Sequence, residues 1–143
     1  MLFNPTRDQV RRFFCDAWRK SRDGVPLSGL EPIAVDLMQA HPEYHATLNA
    51  VDANLMREWR PEDGESNPFL HLSMHLAVAE QLSIDQPPGI RAAFERIASR
   101  TGDRYAAEHE IIECLGATLW EAERDQRAPD AAAYLECVLR RAG

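Results

Sequence analysis

The sequence predicts an all-α fold: a single-domain antiparallel helical bundle of about five to six helices, spanning residues 1–143. The composition, with 45% hydrophobic and 27% charged residues, is ordinary for one globular domain. No stretch alternates apolar with polar residues in the manner of a strand. Apolar residues instead recur at helical spacing between proline and glycine breaks, and short connections favour antiparallel neighbours.

The first half of the chain is predicted to hold two helices and a shorter piece. The first runs from Pro5 to about Ser21, where an Asp-Gly-Val-Pro segment ends it. Ser28 is expected to cap the second helix. Pro42 interrupts this helix, because the residue before a proline avoids the helical region, so a new helical piece begins there.

The second half is predicted to hold the remaining helices. After a polar loop at residues 60–68, Asn67 caps a third helix with Pro68 at its first position. Residues 69–84 are apolar nearly all round, which predicts the buried centre of a bundle. A fourth helix covers residues 90–99, Asp103 caps a fifth that runs to about residue 125, and Pro129 opens the last.

Charge is unevenly distributed. The net charge is −7, yet residues 1–22 hold six basic and two acidic residues, so the rest of the chain carries −11. A net acidic domain is a poor nucleic-acid binder, and no apolar run approaches the roughly 20 residues of a membrane span. We expect no nucleic-acid or membrane partner. The basic first helix is either a solvated face or a surface for a protein partner or a second copy.

The three cysteines, Cys15, Cys114 and Cys137, form no CxxC motif and are odd in number. The first residues also lack the apolar stretch of a signal peptide. Together these features predict reduced thiols in a cytoplasmic protein.

The five histidines fall into three local sets. His41 and His45 are four residues apart, as are His71 and His75, and His109 lies four before Glu113. Four-residue spacing places two side chains on one face of a helix. His71 and His75, like His109 and Glu113, share their faces with apolar residues, where an ionisable pair is costly unless it finds partners.

Binding a transition metal is one way to offset that cost. Imidazole with carboxylate suits iron, zinc, manganese or copper, and of these iron or zinc is expected. The predicted metal ligands are His71, His75, His109 and Glu113, followed by His45 and then His41. The site is mono- or dinuclear, and with an open position it can bind a small oxidant or activate water. The alternative is a non-enzymatic interaction module in which the same residues form a structural hydrogen-bond network.

Other chemistry is missing from the sequence, which contains no P-loop, no GxGxxG and no GxSxG elbow. The stretch HEIIE differs from the zinc-protease motif HExxH at its second histidine, so it does not indicate a protease. Whether the protein is an enzyme, and on what substrate, is left open.

Residues 61–91, together with the opening FNPTRDQVRRFF and the later AAEHEIIECLG, resemble a family of small bacterial proteins known as domain of unknown function 1841. The resemblance covers nearly the whole chain and implies a small, soluble bacterial protein without indicating an activity. His71–His75 and His109–Glu113 also resemble, more weakly, the HxxxH and HxxxE patterns of hemerythrin-type bundles, or a single-metal site of DinB-like bundles. The chain departs from hemerythrins at Pro42 and lacks a clear final bridging aspartate.

Overall fold

The computed structural model describes residues 7–50, 57, 59 and 67–143. Within these ranges regular secondary structure is helical and no strand occurs, which confirms the predicted all-α class. The chain divides into two compact units, residues 1–76 and 77–143. The arrangement as a single-domain bundle stays a prediction.

The first unit contains α1 (Arg7–Asp23), α2 (Glu31–Gln39), a 3-10 turn (Pro42–Tyr44), α3 (His45–Asn49) and the beginning of α4 (Pro68–Ile84). Helix α1 packs against α2 and α3 and buries one side, which consists of Arg11, Phe14, Cys15, Ala17 and Trp18. The piece expected at Pro42 is therefore the 3-10 turn followed by α3. Across the described ranges there are seven α-helices, against the five to six expected, and α3 is the additional one.

The beginning of α2 differs from the expected Ser28 cap. The helix begins at Glu31, and the Glu31 carboxylate accepts hydrogen bonds from the Ser28 backbone N–H at 3.0 Å and from Lys20 Nζ at 2.8 Å. This is the reciprocal half of a capping box, in which the acidic residue reaches back to the residue three before it. It also ties α2 to α1.

Helix α4 begins as predicted, because Asn67 Oδ1 accepts from the backbone N–H groups of Phe69 and Leu70 at 3.0 and 3.2 Å. The expectation that this helix is buried on every side was wrong. Leu70 is 58% exposed and Ile84 is 66% exposed. An apolar composition all round therefore does not mean burial all round in this helix.

The second unit contains the end of α4 together with α5 (Ile90–Thr101), α6 (Arg104–Arg124) and α7 (Ala131–Ala142). Each of α5, α6 and α7 packs on the other two. Asp103 caps α6 as predicted, since its side chain accepts from the Tyr105 N–H at 2.9 Å. The last helix begins slightly later than Pro129, with Asp130 as its cap.

The expectation of three reduced thiols was wrong for two cysteines. Cys114 on α6 and Cys137 on α7 form a disulfide, with Cα atoms 5.8 Å apart. The pairing follows from the packing of α6 on α7, a tertiary contact that the spacing of 23 residues does not reveal. Cys15 is a free, buried thiol, and burial raises its pKa to about 11.

Of the helices in the described ranges, none combines the length and the apolar character needed to cross a bilayer.

Candidate metal centre

Three histidine rings of the first unit converge. His71 and His75 stand one helical turn apart on α4, with ring centroids 4.7 Å apart and Nε2 atoms 3.1 Å apart. The His41 ring, from the segment between α2 and the 3-10 turn, lies 5.0 Å from that of His71 and 4.9 Å from that of His75. One ring nitrogen of each lies within 4.8 Å of the others. We call these three residues the histidine cluster.

A hydrogen bond to the backbone selects the tautomer of the His41 ring. Its Nδ1 lies 2.8 Å from the Leu37 carbonyl oxygen. A carbonyl only accepts, so Nδ1 carries the proton and, in the neutral ring, Nε2 carries the lone pair. Metal-bound histidines are usually oriented by a bond of this kind at the nitrogen that does not coordinate.

Pro42 contributes to this arrangement. It stops α2 from continuing, and His41 takes φ −123° and ψ 69°, outside the helical region. The ring is 5% exposed. The sequence ranked His41 last among the candidate ligands because of Pro42, whereas the structure places it in the cluster.

The spacing of the cluster matches metal geometry. Zinc–imidazole bonds of about 2.0–2.1 Å in a tetrahedral site separate two ligand nitrogens by about 3.3 Å. The separation between His71 and His75 is 3.1 Å. The same distance also suits a hydrogen bond in which one Nε2–H donates to the other Nε2. Distance alone thus fits both a metal site and a histidine network.

Tyr44 borders the cluster, and nothing in the sequence singles it out except its position three residues after His41. Its ring stacks on His41 with centroids 5.4 Å apart and an interplanar angle of 4°. It also lies 6.1 Å from the His71 ring. Burial, with a smaller contribution from the charge of Glu43, raises the pKa of Tyr44, so the phenol stays neutral near pH 7.

His45 lies apart from these rings. Its Nε2 donates to the Met38 carbonyl oxygen at 2.8 Å, and its ring packs on Trp18 with centroids 4.5 Å apart. The four-residue spacing of His41 and His45 predicted a shared face. They do not share one, because the chain between them forms a 3-10 turn rather than a continuous α-helix.

His109 and Glu113 belong to the second unit, on α6. The expectation that they share a buried face was wrong for Glu113, whose side chain is 63% exposed with its carboxylate 2.7 Å from Arg141 Nη1. His109 is partly exposed. The roles of both residues as metal ligands stay predictions from the sequence.

Comparison with known proteins identifies the family. A family model described as a domain of unknown function, DUF1841, matches residues 6–140. The chain belongs to the DUF1841 family. The resemblance stated from the sequence is thereby confirmed, whereas the likeness of this DUF1841 chain to hemerythrin-type or DinB-like bundles stays a prediction. Neither a curated protein nor a solved structure matches the chain.

Proposed function

We propose that this DUF1841 protein binds a single transition-metal ion through His41, His71 and His75. The observation that carries the proposal is the convergence of three imidazoles, each with a ring nitrogen within 4.8 Å of the others. His75 is fully buried and His41 is 5% exposed. Desolvating three imidazoles is costly, and one coordinated ion offsets the cost for all three together.

The donor type indicates which ions fit. Imidazole suits zinc, iron, copper and nickel, while magnesium and calcium prefer oxygen ligands. Of these we propose iron or zinc, the two ions that the sequence also predicts. A dinuclear centre of the hemerythrin type needs carboxylates, and within the described residues the group that could hold an ion consists of histidines. The cluster therefore supports a mononuclear site better than a dinuclear one.

His109 stays a further proposed ligand, and this part of the proposal rests on the sequence alone. His109 offers an imidazole in an HxxxE pattern. Glu113 is engaged with Arg141, so the proposal does not depend on it.

Elemental analysis tests the proposal. Protein purified without chelator is expected to carry about one equivalent of iron or zinc, and stripped protein is expected to take up one equivalent of added Zn²⁺. Metal-free protein from several preparations, together with no uptake of Zn²⁺, Fe²⁺ or Co²⁺ by the stripped protein, would contradict it.

Two bonds favour the alternative, a non-enzymatic interaction module in which the histidines are structural. His41 and His45 both bond backbone carbonyls near the end of α2, at Leu37 and Met38. On this reading the His71–His75 contact is a hydrogen bond. Stripped and metal-loaded protein would then have the same free energy of unfolding, whereas a bound ion stabilises the folded state.

Partner and compartment remain proposals as well. A partner surface or homo-oligomer contact on α1 has to use exposed residues such as Arg12 and Arg19, because Arg11 is 2% exposed. The charge of −7 supports the absence of a nucleic-acid partner. We retain the cytoplasm as the proposed compartment, although the Cys114–Cys137 disulfide is of a kind that persists mostly in oxidising compartments. Counting the free thiols of the protein in rapidly quenched cells tests the compartment. Three free thiols are expected in the cytoplasm, and one free thiol indicates an oxidising compartment.

A further inference from the structure

A cavity of about 300 Å³ lies in the first unit, along one side of α1. Its apolar walls include Val10 and Phe13 on α1, Leu30 just before α2, and Leu76 on α4. Leu76 is fully buried, whereas the other three side chains are partly exposed, so the cavity reaches from the interior to the surface. Its volume is at the lower end of the range for small-molecule sites, which is roughly 300–1,000 Å³.

Charged and polar residues also line this cavity. Lys20 and Glu31 form an ion pair at its wall, with Lys20 Nζ 2.8 Å from Glu31 Oε2. Ser28, another lining residue, donates its backbone N–H to Glu31 Oε1 at 3.0 Å. Lys20 follows Phe13 by seven residues, which places it on the same side of α1, roughly 10 Å further along the helix axis. The cavity is therefore apolar beside Phe13 and polar beside Lys20.

The ion pair decides which head group fits at the polar end. A ligand carboxylate beside Lys20 also lies close to the Glu31 carboxylate, and a ligand ammonium beside Glu31 also lies close to Lys20. The two side chains are only 28% and 12% exposed, so water screens the repulsion between like charges incompletely. A neutral hydroxyl suits both partners, because its oxygen accepts from the ammonium and its O–H donates to the carboxylate.

We infer that this cavity binds a neutral amphiphile, with an aliphatic chain beside Val10, Phe13 and Leu76 and a hydroxyl head group at the Lys20–Glu31 pair. The cavity of about 300 Å³ has room for about ten non-hydrogen atoms, if each takes up about the 30 Å³ of one water molecule in the liquid. Removing the apolar chain from water drives binding. The inference uses no residue of the histidine cluster, so it does not depend on metal binding.

Calorimetric titration of the purified protein at pH 7 with n-octanol, octanoate and octylammonium tests the ligand class, because these probes share one chain and differ in the charge of the head group. We expect saturable binding of one equivalent of n-octanol and at least about tenfold weaker binding of both charged probes. In Glu31→Gln the repulsion of a carboxylate is removed, so octanoate should gain at least about tenfold in affinity relative to n-octanol. No saturable binding of n-octanol, or a charged probe that binds the wild type as tightly as n-octanol, would overturn the inference.

A substitution that fills the cavity tests the location of the site. Val10→Phe adds a ring at the cavity wall and should weaken the binding of n-octanol at least about tenfold, and Leu30→Phe does the same from a different segment. Val25→Phe is the matched control, because Val25 is 41% exposed and lies outside the cavity lining. It should bind n-octanol like the wild type. Circular dichroism identifies the variants that keep their helical content, and unchanged binding in a folded cavity-filling variant overturns the assignment to this cavity.

Discussion

His41 Nδ1 lies 2.8 Å from the carbonyl oxygen of Leu37, one helical turn before it. This bond exists because α2 ends at Gln39 and leaves its last carbonyl groups without partners inside the helix. The ring that occupies the end of α2 is thereby held beside His71 and His75. The end of one helix thus orients a side chain toward a pair of histidines on another.

Arg11 is expected to be essential for the stability of the first unit. Its Nη1 donates to the Arg57 carbonyl oxygen at 2.7 Å, and its guanidinium lies 5.0 Å from the Trp59 ring centroid and 5.2 Å from that of Phe69. Arg11→Met loses a charged hydrogen bond and two cation–π contacts, so we expect a loss of roughly 2–4 kcal/mol in the free energy of unfolding.

Arg12→Met is the matched control, because the neighbouring Arg12 is exposed. Its effect on the free energy of unfolding should stay within about 0.5 kcal/mol. Urea denaturation of both variants measures the difference. Equal effects would show that the contacts of Arg11 contribute no stability.

The contribution of Glu31 to the free energy of unfolding is expected to decrease in acid. The hydrogen bond from Lys20, and then that from the Ser28 N–H, lower the pKa of Glu31 in the folded protein. A carboxyl whose folded pKa is lowered stabilises the fold above its unfolded pKa of about 4.3, and this contribution is lost as the pH falls through the folded value.

Glu31→Gln should therefore be less stable than the wild type at pH 7, by roughly 0.5–1 kcal/mol as for caps and partly exposed pairs. The difference in the free energy of unfolding should shrink toward pH 3. Glu95→Gln is the control, since its pair with Arg104 is exposed and 3.4 Å long. A Glu31→Gln difference that is the same at both pH values contradicts the account.

The disulfide between Cys114 and Cys137 is expected to stabilise the second unit. It closes a loop with a sequence separation of 23, for which loop-closure entropy predicts about 3 kcal/mol. Cys137→Ala should lower the free energy of unfolding by that order. A reducing agent should have a similar effect on the wild type and none on the variant. If reduction leaves the stability of the wild type unchanged, the pairing is wrong.

Alkylation checks the cysteines independently. Burial raises the pKa of the free Cys15 thiol to about 11, and the thiolate is the reactive form. Native protein at pH 8 should therefore resist iodoacetamide. Unfolding without a reducing agent should expose one reactive thiol, and unfolding with one should expose three. Three reactive thiols without a reducing agent would show that all three cysteines are reduced, as the sequence predicted, and that the disulfide does not form.

The sequence predicted those features that depend on neighbouring residues. The caps at Asn67 and Asp103 and the position of Pro68 are local, and the structure has them. Features that depend on tertiary packing were missed. The cysteine pair is the example: the short connection between α6 and α7 favours neighbouring helices, but it does not indicate which residues of the two helices face each other, so the pairing of Cys114 with Cys137 was missed.

The histidines show the same division. The spacing of His71 and His75 predicts their contact because both lie within one α-helix. The identical spacing of His41 and His45 does not, because Pro42 changes the backbone between them. His41 joins the histidine cluster through a contact between segments that are distant in the sequence. The fold, and not the spacing, therefore determines that His41 belongs to the cluster and His45 does not.

The ligands predicted on α6 can be separated by substitution. Glu113 is exposed and paired with Arg141, so Glu113→Gln is expected to leave the dissociation constant for Zn²⁺ unchanged within a factor of two or so, the scatter of a surface change. The sequence predicts that His109→Ala weakens Zn²⁺ binding. Competition with a chromogenic chelator measures both. A large loss of Zn²⁺ affinity in Glu113→Gln would show that the Glu113 carboxylate is a metal ligand after all.

The central claim is that the histidine cluster binds a metal ion, and the dissociation constant for Zn²⁺ in His75→Ala, compared with His45→Ala, tests it most directly. Each variant removes one imidazole from the first unit. The ring of His75 contributes a nitrogen to the histidine cluster, whereas the ring of His45 bonds the Met38 carbonyl oxygen instead. The account predicts that wild type and His45→Ala bind one equivalent with similar affinity, and that His75→Ala binds at least tenfold more weakly, since loss of even an outer-shell partner costs on the order of 10- to 100-fold. Equal affinities in the two variants, or no binding by the wild type, would contradict it.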